Sequence, residues 1–98
     1  MSNLDRLGGW SAFSSDISKD AQEAFDQAMK GWAGGEYTPV AVAQQVVAGM
    51  NYAFFCNSVS GEQRPTRSAA MVYIYQPLPG QGGAEVQGIV PTPIEYPY

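Results

Sequence analysis

The chain has 98 residues, of which 45% are hydrophobic and 14% charged, and its formal net charge is -4. This length predicts one domain with a single core, and an acidic chain without a basic cluster is not expected to bind nucleic acid. Histidine is absent and cysteine occurs once, which excludes histidine-dependent nucleophilic catalysis and an intramolecular disulfide, and removes the commonest metal ligand.

The first 14 residues show no sustained periodicity and contain the pair Gly8-Gly9, so we expect residues 1–14 to form an extended arm. Two glycines near a terminus are also typical of simple flexibility. The segment lacks the apolar stretch of a signal peptide, and no run of 18 apolar residues follows, so no membrane contact is expected. The expected location is the cytoplasm, or outside the cell if a leader has been removed.

A helix is predicted over residues 18–33, with Ser18 as its N-cap and either Gly31 or the pair Gly34-Gly35 as its stop. Its apolar stripe recurs at spacings of three and four and consists of Ala21, Ala24, Phe25, Ala28, Met29 and Trp32. The acidic residues in and before this helix are interpreted as a solvated face rather than a metal site or a catalytic carboxylate pair; they are Asp16, Asp20, Glu23 and Asp26.

The remaining chain, over residues 36–90, predicts an antiparallel sheet, because β-branched and aromatic residues are broken there by Gly and Pro. Four strands are expected, at Tyr37–Val47, Met50–Cys56 or a little beyond, Ser68–Tyr75 and Ala84–Val90. Only Ala48-Gly49 separates the first two, which is the spacing of a hairpin. Cys56 is interpreted as a small buried hydrophobic residue. Residues 91–98 have three prolines and are expected to form an extended tail.

These elements predict an α+β fold in which one helix packs across a face of a four- to five-stranded antiparallel sheet. The turn at Ala48-Gly49 and the turn at Pro77–Gly83 follow strands that run in the same direction. Both turns should therefore emerge at one end of the sheet, within reach of the N-terminal arm.

Three segments of this layout resemble a known family. The sequence Gln45-Val46-Val47-Ala48-Gly49 matches the Q-x-V-x-G loop of the cystatins, which inhibit papain-like cysteine proteases. The longer stretch Pro39–Tyr52 resembles the strand-loop-strand of the disulfide-free stefin branch. Gly8-Gly9-Trp10-Ser11 is similar to the glycine segment that precedes the helix in cystatins, and Gln76-Pro77-Leu78-Pro79 resembles the second loop of stefins. The resemblance covers about residues 7–90.

The resemblance implies a cystatin-like fold and a reversible, competitive inhibitor that is not an enzyme and needs no cofactor or metal. Its arm and two hairpin loops would fill the cleft of a papain-like cysteine protease without offering a bond for cleavage. Leu7 would occupy the apolar pocket that reads substrates, and Gln45 would hydrogen-bond the loop or the cleft. The implied protease-binding residues are Leu7, Gly8, Gly9, Gln45, Val46, Val47, Ala48, Gly49, Leu78 and Pro79.

Other interpretations stay open at this point. Gln45–Gly49 is also typical of an ordinary hairpin, and the glycines after Leu78-Pro79 are compatible with a loose loop. The alternative function is a non-inhibitory protein-binding or structural module with the same fold. A monomer is expected, with a domain-swapped dimer as a second state if the first hairpin opens.

Overall fold

The computed structural model describes residues 9–60 and 66–92. It contains the helix α1 and the strands β1 to β4, in the order α1 (Lys19–Met29), β1 (Glu36–Val47), β2 (Gly49–Ser60), β3 (Thr66–Gln76) and β4 (Glu85–Thr92). The strands form one antiparallel sheet in the order β1-β2-β3-β4. We call the face that packs against α1 the inner face and the opposite one the outer face. The predicted α+β layout of one helix on an antiparallel sheet is confirmed, with four strands.

The helix begins as the sequence predicts but ends earlier. The Ser18 hydroxyl accepts a hydrogen bond of 3.1 Å from the backbone N–H of Ala21, which satisfies one of the free donors of the first turn. The predicted range 18–33 is wrong at its C-terminal end, because α1 stops at Met29. The backbone leaves the helical conformation at Lys30, whose ψ is 127°, and turns at Gly31, whose φ is +77°. Gly31 is one of the two stops that the sequence predicts. Trp32 therefore leaves the apolar stripe, and 46% of its surface is exposed.

The core lies between α1 and the inner face. Phe25 and Phe54 of β2 pack edge to face, with ring centroids 4.9 Å apart and planes at 64°, a favourable arrangement for two aromatic rings. Alternate residues of β2 and β3 pair across this face, among them Phe54 with Val72, and both are fully buried. Burying each such side chain contributes about 2 kcal/mol. The other fully buried large side chains are Ile74 and Cys56, so the interpretation of the cysteine as a buried hydrophobic residue is confirmed.

The strand β4 runs further than predicted. It continues to Thr92, and Pro91 pairs in register with Ala70 of β3. The predicted tail 91–98 is therefore wrong for its first two residues. A proline is tolerated here because β4 is an edge strand, whose residues need backbone donors on one side only. The rest of the predicted tail, at 93–98, lies outside the described residues, as do the arm residues before Gly9.

The described part of the arm lies along the free edge of β1. Ser14 and Val42 exchange two backbone hydrogen bonds of 2.9 Å, and the N–H of Ser11 donates to the carbonyl of Gln44 at 2.8 Å. Trp10 forms a further antiparallel bridge with Gln45. Residues 9–14 of the predicted arm are thus extended and pair with the sheet through isolated bridges rather than as a full fifth strand.

Burial raises the pKa of the Cys56 thiol from 9.0 to about 12. The folded protein therefore keeps this proton over a pH range in which the unfolded chain loses it. We expect the free energy of unfolding, measured by urea titration, to fall as pH rises from about 9 to 12. Cys56→Ala should show a shallower fall, because the contribution of the buried thiol is then absent. Identical slopes in the two proteins would contradict the assignment.

Candidate functional site

One end of the sheet carries both tight turns. We call it the loop end and define it as Gly9, Val46–Gly49 and Pro77–Pro79. The bridge between Trp10 and Gln45 sets Gly9 beside the first hairpin, and the two turns face a common cleft. The structure therefore brings together the described members of all three predicted segments. Leu7 and Gly8 lie outside the described residues.

The first hairpin turns sharply at Ala48 and is pressed against the chain that leaves β3. Gly49 has a φ of +111°, and a Cβ built on it would lie 2.3 Å from the carbonyl oxygen of Gln76 and 3.2 Å from the Cα of Pro77. Only glycine fits this position, for reasons of both backbone conformation and space. The Tyr75 hydroxyl donates a hydrogen bond to the carbonyl of Ala48. The turn is thereby fixed to its neighbour at two points.

Gln45 is held from within the hairpin. It stands opposite Asn51 in the sheet, and the side-chain amide of Asn51 donates to the Gln45 side-chain oxygen at 2.8 Å. Of the two roles predicted for Gln45, the hydrogen bond within the loop region is the one that the free protein makes. This cross-strand bond stiffens the base of the turn.

The second hairpin has an ordered tip. The N–H of Gln81 donates to the carbonyl of Leu78 at 3.0 Å, and Gly80 has a φ of +83°. Proline at the second position and a left-handed glycine at the third are the marks of a type II turn. The segment Leu78–Gln81 is therefore a defined turn and not the loose loop of the alternative interpretation.

A glutamine of the helix supports the same loop, and the sequence pattern missed it. The periodicity places Gln27 on the water-facing side of α1, yet its side-chain oxygen accepts a hydrogen bond of 2.9 Å from the N–H of Ala84, just before β4. Its amide group also packs against Gly83, 3.1 Å from the position of a Cβ there. No local signal distinguishes such a tertiary bond from solvation.

Apolar side chains project from the loop end into solvent. Val46 is 50% exposed and Leu78 is 49% exposed, whereas Val47 is half-buried and Ala48 is exposed. Trp10, at the start of the described arm, is also exposed. Apolar groups held on rigid turns are typical of surfaces that bind other proteins.

The described residues offer no metal centre. Between 9–60 and 66–92, no group of three or more His, Cys, Asp or Glu side chains is placed to hold a metal ion. The acidic residues Asp16, Asp20, Glu23 and Asp26 are all exposed, as predicted for a solvated face. In the same two stretches, no helix has the length and apolar character needed to cross a membrane.

Comparisons of the chain with protein-family models, with curated proteins and with solved structures find no match. The resemblance to cystatins consequently depends on the motif at Gln45–Gly49, on the two flanking motifs and on the order of the elements. What it implies about binding is taken up below as a proposal.

The close approach of Gly49 to Gln76 predicts an unequal response to alanine. Gly80→Ala should lower the free energy of unfolding by about 1 to 2 kcal/mol, because alanine disfavours the left-handed backbone at this position. No clash adds to this cost, since a Cβ at Gly80 would meet open space. Gly49→Ala should cost about 3 kcal/mol or more, because its Cβ also collides with a backbone oxygen. Urea unfolding of the two variants measures both costs. Equal losses of stability would show that the two hairpins are not in contact as described.

Proposed function

We propose that the protein is a reversible, competitive inhibitor of papain-like cysteine proteases and that its α+β layout is cystatin-like. The observation that supports this most is the assembly of the loop end, where Gly9, the hairpin turn at Val46–Gly49 and the turn at Leu78-Pro79 lie side by side. These segments are far apart in the sequence. Their positions match the wedge that the resemblance implies.

The residues of the loop end are suited to entering a cleft. Its apolar groups, above all Val46 and Leu78, lose contact with water on binding, which contributes free energy in proportion to the area covered. The turns are already fixed by hydrogen bonds before binding, so little conformational entropy remains to be lost. The sharp turn at Ala48 presents no extended segment to a protease. The inhibitory species we propose is the monomer, because opening this hairpin into a swapped dimer would abolish the turn.

A second candidate function is a protein-binding module that does not touch a protease. The observation that favours it is a shallow groove of about 280 Å³ on the outer face, walled by Trp10 and Phe13 of the arm and by Met71 and Tyr73 of β3. Phe13 is 51% exposed. This candidate requires a stable complex with another protein and no effect on peptidase rates, so a protease titration separates the two functions.

A single charge at the loop end tests the main proposal. We expect the protein to inhibit papain at micromolar concentration or below, and we expect Val46→Asp to weaken inhibition about a hundred-fold, because a carboxylate would lose its water in the protease cleft. Val40→Asp is the matched control, since Val40 lies on the same strand with 42% of its surface exposed but away from the loop end. Absence of inhibition by the unaltered protein would refute the proposal, and equal effects of the two changes would refute this binding surface.

The contribution of the arm is tested by its leucines. Leu7→Ala should weaken protease inhibition about ten-fold, which corresponds to the loss of one partly buried leucine side chain from an interface. Leu4→Ala removes the same side chain three residues earlier and should change inhibition little. Steady-state inhibition constants for both variants provide the measurement. If Leu7→Ala leaves the constant unchanged, Leu7 is not a contact residue.

A further inference from the structure

An open cleft of about 650 Å³ lies behind the loop end, between α1 and the inner face of the sheet. Its floor is formed by Val46 and Met50, near the ends of β1 and β2, and by Tyr52. One wall is the exposed side of α1, and the other is the turn at Pro77–Pro79. A volume of this order is typical of small-molecule sites, which are concave, mostly apolar and supplied with a few polar groups.

The first polar group in the cleft is the hydroxyl of Tyr52. The residue is only 5% exposed, and its ring packs against Phe54 with centroids 5.8 Å apart. Among the residues that the structure describes, no hydrogen bond is made by this hydroxyl. Because every fully buried side-chain N or O atom in the described part of the chain has a partner, this hydroxyl must keep some contact with solvent. Its ring packs among the inner-face residues, on the side of the sheet where the cleft opens. A largely buried tyrosine with a free hydroxyl indicates that something else can bond to it.

The second polar feature is negative charge on the helix wall. Asp20 and Glu23 both line the cleft, and their spacing of three residues puts them on one side of α1. The described lining contains no Lys or Arg. Burial and the nearby Asp20 carboxylate raise the pKa of Tyr52, so the charge of Asp20 acts on the hydroxyl and the two groups belong to the same site.

We propose that this cleft binds a small organic cation, with a primary ammonium or amidinium group on an apolar body. The N–H groups of the cation donate to the carboxylates of Asp20 and Glu23 and to the hydroxyl oxygen of Tyr52. The apolar body lies on Val46 and Met50. The inference is independent of protease inhibition, and it is tested without any protease.

Phenylbutylamine and phenylbutanol provide a matched pair of probes, because they differ in charge but hardly in shape. We expect the amine to shift the backbone amide resonances of residues that line the cleft and to bind about five-fold or more tightly than the alcohol. Added NaCl should weaken binding of the amine and leave binding of the alcohol nearly unchanged, since exposed carboxylates are screened by salt. Equal affinities of the two probes, or no binding of either at millimolar concentration, would overturn the proposal.

Single substitutions then test which carboxylates bind the amine. Asp20→Asn and Glu23→Gln should each weaken amine binding a few-fold, whereas Asp26→Asn, which removes the same charge from an exposed residue outside the cleft, should not. Tyr52→Phe should also weaken binding of the amine about three-fold, while the circular dichroism spectrum stays that of the folded protein. If Asp26→Asn weakens binding as much as Asp20→Asn, the effect is long-range charge and the proposed site is wrong. The two-probe comparison on the unaltered protein stands even if a variant fails to fold.

Discussion

The contact between Gly49 and the backbone of Gln76 determines where both hairpin turns lie. A side chain at this position would hold the two turns apart, so the glycine acts through the space that it leaves empty as well as through its left-handed backbone. With the Tyr75 hydroxyl bonded to Ala48, the distance between the exposed Val46 and Leu78 is set before any partner arrives. The loop end is therefore a preorganised surface.

The length of α1 explains why an open cleft exists at all. Eleven helical residues span about 16 Å, whereas the twelve residues of β2 span about 40 Å. The helix covers the middle of the inner face, where Phe25 meets Phe54, and cannot cover the whole of it. Inner-face side chains near the loop end, such as Met50, are left half-buried. The cleft lies beside the helix residues Asp20–Gln27, over the part of the sheet that α1 leaves uncovered next to the loop end.

The sequence predicts the features that depend on local chemistry. It does not predict the features that depend on contacts between residues far apart in the chain. Alternating apolar residues and the Ser18 cap predict the strands, the layer arrangement and the start of the helix. Gly31 is one of the two predicted stops of the helix, but Trp32 also fits the periodicity, so the predicted range runs to residue 33 although the backbone turns away at Lys30 and Gly31. The Pro79-Gly80 pair does carry the signature of a type II turn. The hydrogen bond that Gln27 accepts from Ala84 cannot be predicted from a pattern, since it depends on a tertiary partner. The cleft requires the position of α1 on the sheet, which no spacing encodes.

The two edges of the sheet are protected unequally. On the β1 side, Ser11 and Ser14 already hold the backbone groups of Val42 and Gln44, so an incoming strand from another chain would have to displace the arm there. The β4 side has no neighbouring strand in the described part of the chain, and Pro91 withholds a donor only near its end. Strand addition, whether by a peptide or by a second copy in a concentrated solution, would accordingly begin at Glu85–Val90.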